Sequence, residues 1–234
     1  MEGMLVNKLI RLELKKFRFA TYIRTAMYVT IGIFLFILLG IYGDTQDIAF
    51  HDISEVFGII DTFVKVSFII TASVLLSRMV IDEFKSKSIT VMFMYPIPRK
   101  KLITAKLIIV VLYTFIAIIL SNIVLISGFL LYNSYAHTVP GTATISMVTN
   151  QVATNVINSL AASCLSLIPL WFGMRKYSAA ATITSSILIA GFLGSSTGGF
   201  TLWSIIAVPF AFAALGIVIG YLTIRKIDTI DLYK

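Results

Sequence analysis

The sequence predicts an all-α integral membrane protein with six transmembrane helices. An N-terminal interfacial amphipathic helix precedes them, and a short cytoplasmic helix lies between spans 2 and 3. Three observations lead there. The 234 residues are 58% hydrophobic and 13% charged, against about 25% charge in an ordinary soluble domain. Apolar runs recur along the whole chain, and at roughly 20 residues per crossing they accommodate about six spans, leaving no room for a separate soluble domain. The basic residues are sorted. If there are six spans, eighteen of the 19 Lys and Arg residues fall on one face, and the remaining one, Lys65, is inside span 2. The positive-inside rule places that face, with both termini, in the cytoplasm.

Residues 1–24 form the single transmembrane domain's lead. They carry Lys8, Arg11, Lys15, Lys16, Arg18 and Arg24, interleaved with Leu5, Leu9, Leu12 and Phe19. That pattern suits a helix lying among lipid headgroups; a frayed basic tail is the alternative. A secretory signal fits less well, because the charged lead is long and no small-residue cleavage site follows the apolar run. Span 1 is expected over 25–42, and the acidic loop after it has no Lys or Arg. Spans 2 and 3 are expected over 56–76 and 107–132. The next loop also lacks Lys and Arg and turns at Pro140-Gly141. Span 4 (153–174) stops at Arg175-Lys176, span 5 (178–193) at a run of small residues from Gly194 to Gly199, and span 6 (202–224) at Arg225-Lys226.

Polar groups within these runs are few. Asp61 and Lys65 stand four apart on span 2, the spacing of a helical ion pair. Ionisable residues at membrane depth are functional candidates; the plainer reading is a pair that neutralises itself near the outer interface. Span 4 carries Asn155, Ser159, Ala162, Ser163 and Ser166 on one face, with Asn158 at its edge. Such a face serves helix packing or contacts a substrate. Gly216 and Gly220 make a GxxxG packing pattern, and Pro169 and Pro209 are places where spans 4 and 6 can kink. His51 and His137 are isolated in outward loops, and the single Cys164 supports neither a disulfide framework nor a metal site. No GxxxxGK[ST] run, HExxH or paired Cys-x-x-Cys occurs, so any ATP that drives this chain is bound by another polypeptide. Nucleic acid is a poor reading of the net charge of +8, because the basic residues flank apolar spans and suit lipid headgroups.

The longest basic stretch between spans is 82–106, DEFKSKSITVMFMYPIPRKKLITAK. Ile89, Met92 and Phe93 share one face of a short helix, which Pro96 and Pro98 terminate. Apolar on one side and bounded by charge, it suits docking into a groove on a soluble partner. The stretch resembles the cytoplasmic loop of bacterial type-2 ABC exporter permeases. That loop has an acidic residue, a Gly-Thr pair, Pro-Ile-Ser-Arg, and a Lys opening the next span. Here the order is Glu83, Lys87-Ser88, Pro96-Ile97-Pro98-Arg99 and Lys106, with Lys, Ser and Pro in place of the glycine, threonine and serine.

The resemblance implies that Glu83, Ser88, Ile89, Met92, Phe93, Pro96, Arg99 and Lys106 belong to a coupling helix that touches an ATPase subunit. It implies two ATP-binding subunits holding ATP and Mg, and a second permease copy, in the bacterial plasma membrane, with no cofactor on this chain. It also suggests a hydrophobic or antimicrobial peptide as substrate, for export or immunity. Asp61, Lys65, Asn155 and Asn158 are the candidates for the substrate path. Two other readings are weighed. An ATP-independent secondary transporter or channel would show repeats or broken helices around a charged midplane site, which the sequence does not convincingly display. A scaffold or membrane enzyme would, as an enzyme, cluster catalytic residues at one membrane face, and no such set is present.

Overall fold

The structure, a computed structural model, describes residues 19–42, 53–85, 99–136, 145–197, 200–201, 203 and 207–226. In hydrocarbon every backbone N–H must bond within its own segment, so long apolar runs become helices. They are α1 (Phe19–Tyr42), α2 (Ile53–Leu76), α3 (Asp82–Lys85), α4 (Arg99–Ala136), α5 (Ile145–Leu165), α6 (Ile168–Lys176), α7 (Ala179–Gly194) and α8 (Ala207–Lys226). A π-helical turn, Ser77–Ile81, joins α2 to α3 without a break. Two-residue strands β1 (Ser196–Thr197) and β2 (Phe200–Thr201) pair antiparallel between α7 and α8.

Among the described residues, five stretches are long and apolar enough to cross a membrane: Ala20–Gly40, Ile53–Lys85, Lys100–Ala136, Gln151–Arg175 and Val208–Arg225. The sixth apolar helix, α7, has 16 residues, about 24 Å at 1.5 Å per residue, short of a core about 30 Å thick.

Side-chain contacts fix the directions in which these helices run. Tyr113 Oη donates to the Tyr22 carbonyl at 3.0 Å, and the Thr30 and Ser121 hydroxyls share a hydrogen bond of 2.7 Å. Both pairs are 91 residues apart, so α1 and α4 run parallel in one register. Asp61 of α2 meets Asn122 of α4 and Glu83 of α3 meets Lys106 of α4, so the continuous α2–α3 helix runs antiparallel to α4. Ser73 bonds Ser186 at 2.7 Å while Gly194 lies against Val66, so α7 is antiparallel to α2. On α8, Gly216 faces Cys164 and Gly220 faces Leu167, so α8 runs parallel to α5.

The GxxxG reading gains a physical basis here. A Cβ at Gly216 would lie 2.1 Å from the Cys164 carbonyl oxygen, a backbone atom that cannot swing aside. The polar face of α5 is turned into the same packing. Asn155, Asn158, Ser159, Ser163 and Ser166 are all buried. The three serine hydroxyls bond carbonyls of their own helix, at Asn155, Leu160 and Ser163. Hydroxyls spent on the local backbone favour a packing seam. The outside is apolar instead, as a lipid-facing surface requires: Tyr28, Leu39, Leu131 and Leu188 are each at least 70% exposed.

The structure amends several sequence expectations. Most of the lead at 1–24 lies outside the described residues, and residues 19–24 belong to α1. The loop assigned to 77–106 is helical at both ends, through the π turn, α3 and the first turns of α4. Both helices continue past their apolar runs because their polar residues there are buried against each other. Span 4 breaks between α5 and α6 at Ser166–Leu167, just ahead of Pro169, and Leu167 N–H bonds the Cys164 carbonyl at 3.1 Å. Pro209 falls in the first turn of α8, where its missing N–H has no intrahelical acceptor to lose, so it starts the helix and does not kink it. The small-residue run after span 5 contains β1, which pairs with β2 just beyond it, and Gly194 packs beside Thr62 and Val66 on α2.

Candidate functional site

Two buried ion pairs stand on the continuous α2–α3 helix, and they involve four of the residues singled out in the sequence. The first closes the base of α3 against α4. Lys106 Nζ bonds Glu83 Oε2 and also donates to the Met79 carbonyl at 2.9 Å. Lys106 is 1% exposed. The Met79 carbonyl belongs to the π turn, in which Asp82 N–H reaches back five residues to the Ser77 carbonyl. Widening of this kind is common where a helix serves a function. A buried ammonium needs both charge and hydrogen-bond compensation, and here the carboxylate and the carbonyl supply them.

Glu83 and Lys106 stand at the two roots of segment 86–98. Ser88, Ile89, Met92, Phe93 and Pro96 fall in that segment and lie outside the described residues. Arg99 is the first residue of α4, and its side chain is outside the described set.

The second pair is deeper. Lys65 Nζ bonds Asp61 Oδ2, and Asn122 Nδ2 of α4 donates to Asp61 Oδ1 at 3.2 Å. Lys65 Nζ also lies 4.5 Å from the centroid of the Trp203 ring, within the range of a cation–π contact. All four residues are buried, Lys65 completely. Two polar atoms here, Asn122 Oδ1 and Trp203 Nε1, have no hydrogen-bond partner among the described residues.

Asp61 is eight residues into α2, and its partner Asn122 is ten residues, about 15 Å, from Tyr132, the expected end of span 3. The pair is therefore held inside the bundle, between α2 and α4. Asn155 and Asn158 are buried on α5, and among the described residues no hydrogen bond joins them to Asp61 or Lys65. Asn155 accepts instead from Gln151 at 3.4 Å.

Asn122 was legible as the one amide among the apolar residues of 107–132, yet nothing in the sequence paired it with Asp61. Trp203 carried no signal, because its contact with Lys65 depends on how far the α7–α8 connection reaches into the bundle. No group of three or more His, Cys, Asp and Glu side chains among the described residues could hold a metal ion.

The described residues form a helical domain with membrane-crossing helices and two buried ion pairs, and comparison supplies its family. Residues 9–194 match the family described as ABC-2 family transporter protein, and the chain belongs to it. The chain is also similar to the uncharacterized protein YcbO of Bacillus subtilis (strain 168), 41% identical over 225 residues that cover 95% of this chain and 99% of that one. No solved structure matches it. The protein is thus a multi-pass membrane subunit of an ABC transporter in the plasma membrane. It partners an ATP-binding subunit and is not itself the ATPase.

Proposed function

We propose that this chain is the permease of an ATP-driven exporter and forms the translocation path while the separate subunit hydrolyses ATP. The observation that carries this reading is the buried Glu83–Lys106 pair at the roots of segment 86–98, where the resemblance to type-2 exporters puts the coupling helix. In this reading Ile89, Met92 and Phe93 face the ATPase, and Ser88, Pro96 and Arg99 shape the loop. Two permease copies pair and dock two ATP-binding subunits, which hold the ATP and Mg.

Asp61, Lys65, Asn155 and Asn158 are the polar residues that the path exposes as it opens. The spare hydrogen-bond capacity of Asn122 and Trp203 suits the backbone of a hydrophobic or antimicrobial peptide, carried outward for export or immunity. Both termini are cytoplasmic. Single cysteines placed at Asp47 and Gly141 should be labelled by an impermeant reagent from outside intact cells; labelling only after the inner face is opened would reverse this topology.

The test of function is co-purification with the ATP-binding subunit. Phe93→Asp or Met92→Asp would put a charge into the contact, at a cost on the order of several kcal/mol if it is buried. The permease should still insert, and the ATP-binding subunit should be lost from the purified complex. Undiminished binding and transport in Phe93→Asp would mean the loop is not the coupling element. An ion-coupled transporter is favoured by one observation, the buried Asp61–Lys65 pair. Transport that continues when the partner cannot hydrolyse ATP would select it.

A further inference from the structure

The corner between α6 and α7 is two residues long and strained. Tyr177 has φ 45° and ψ 41° and, among the described residues, is the only one other than glycine with a positive φ. A helix end in this left-handed region usually has glycine, and a bulky side chain there carries a conformational cost. Strain of this kind persists where neighbouring structure enforces it and often marks a moving or functional element. The backbone of the corner is tightly held. Tyr177 and Ser178 N–H groups both reach the Gly173 carbonyl, and Ser178 Oγ accepts from Ala181 N–H at 3.4 Å to start α7. A Cβ at Gly173 would lie 2.0 Å from Thr182 Oγ1 and 2.3 Å from Ile81 Cδ1. So side chains of α7 and the π turn pack directly on the α6 backbone here.

The Tyr177 ring has a partner on α3. It faces Phe84, with ring centroids 6.0 Å apart and planes at 32°. Phe84 follows Glu83 directly and precedes segment 86–98 by one residue. From this corner α7 runs along α2, through the Ser73–Ser186 hydrogen bond, to Gly194 beside Val66. The connection beyond it brings Trp203 over Lys65. Helix α7 thus joins the root of segment 86–98 to the Asp61–Lys65 pair, with the Tyr177–Phe84 ring contact at its first turn.

We infer that Tyr177 is a positioning residue through which displacement of α3 is passed to α7 and on to the Asp61–Lys65–Trp203 cluster. Glycine would satisfy the backbone of the corner better, so it is the ring against Phe84 that the strained turn preserves. This inference rests on the permease reading above and adds to it a moving element and its point of attachment. Coupling between sites requires an element whose position one site biases and the other senses, and α7 fits that description.

The test uses the complex with its ATP-binding subunit, in a Cys164→Ala background, with spin labels at exposed Leu188 on α7 and exposed Leu112 on α4. ATP should change the distance between the labels in the otherwise unaltered complex. Tyr177→Gly should remain assembled with an unlowered melting temperature, yet lose the ATP-dependent change. Tyr177→Phe, which keeps the ring, should behave as the parent. An ATP-dependent change that persists in Tyr177→Gly, or is absent from the assembled parent, overturns the inference. So does a Tyr177→Gly variant that unfolds or sheds the ATP-binding subunit, because the corner would then be purely structural. Failure of the parent permease to bind any ATP-binding subunit strikes the permease reading itself and is read from the same preparation.

Discussion

Lys106→Met should destabilise the permease by about 3–5 kcal/mol, the usual cost of removing one partner from a buried ion pair. The methionine fills much of the space left by the lysine stem but supplies no donor. Both the Glu83 carboxylate and the Met79 carbonyl lose the ammonium that bonds them. The loss should appear as a lowered melting temperature of the detergent-solubilised protein. Because α2–α3 and α4 would separate at the roots of segment 86–98, it should also weaken retention of the ATP-binding subunit. Glu83→Gln combined with Lys106→Met removes the carboxylate charge as well, so the double variant should recover a large part of the stability. Double-mutant coupling of this kind isolates the pair from each residue's other contacts. Additive losses in the double variant would show that Glu83 and Lys106 act separately.

What could be read from the sequence followed from hydrocarbon and charge. Runs such as 107–132 have to be helical in a bilayer, and the alternation of Lys- and Arg-rich with Lys- and Arg-free loops gives them an order. The i, i+4 spacing of Asp61 and Lys65 places both on one face of α2, and the pair forms there. Glu83 and Lys106 were singled out by their positions in a loop motif, but their contact was not legible. It needs α2 to continue through the π turn and α4 to start at Arg99, and both extensions depend on tertiary burial of polar residues. The contact of Asp61 with Asn122 was not legible either, because it depends on the register between α2 and α4. The Tyr177 corner was invisible, since local sequence favours glycine in a left-handed turn and gives no warning of tyrosine.

Asp61→Ala should be harmful on a similar scale, because it leaves the ammonium of Lys65 inside the bundle with, among the described residues, the Trp203 ring beside it. A lone charged residue at the centre of a membrane helix costs about 2.5–3.5 kcal/mol on insertion scales. The burial of Lys65 prevents the side chain from reaching water without moving its neighbours. Folded protein recovered from the membrane should fall sharply, and what remains should melt at lower temperature. Removing Lys65 alone strands the carboxylate instead, although Asn122 still donates to it, so Lys65→Met should be the milder single change. Asp61→Ala with Lys65→Met leaves no charge at this depth, and its recovery and melting temperature should exceed those of Asp61→Ala. Comparable damage in that double variant and in Asp61→Ala would mean that the two residues do not act as a pair. If the double variant folds well yet no longer supports ATP-dependent transport, the pair belongs to the path; if transport survives, its role ends with holding α2, α4 and Trp203 together.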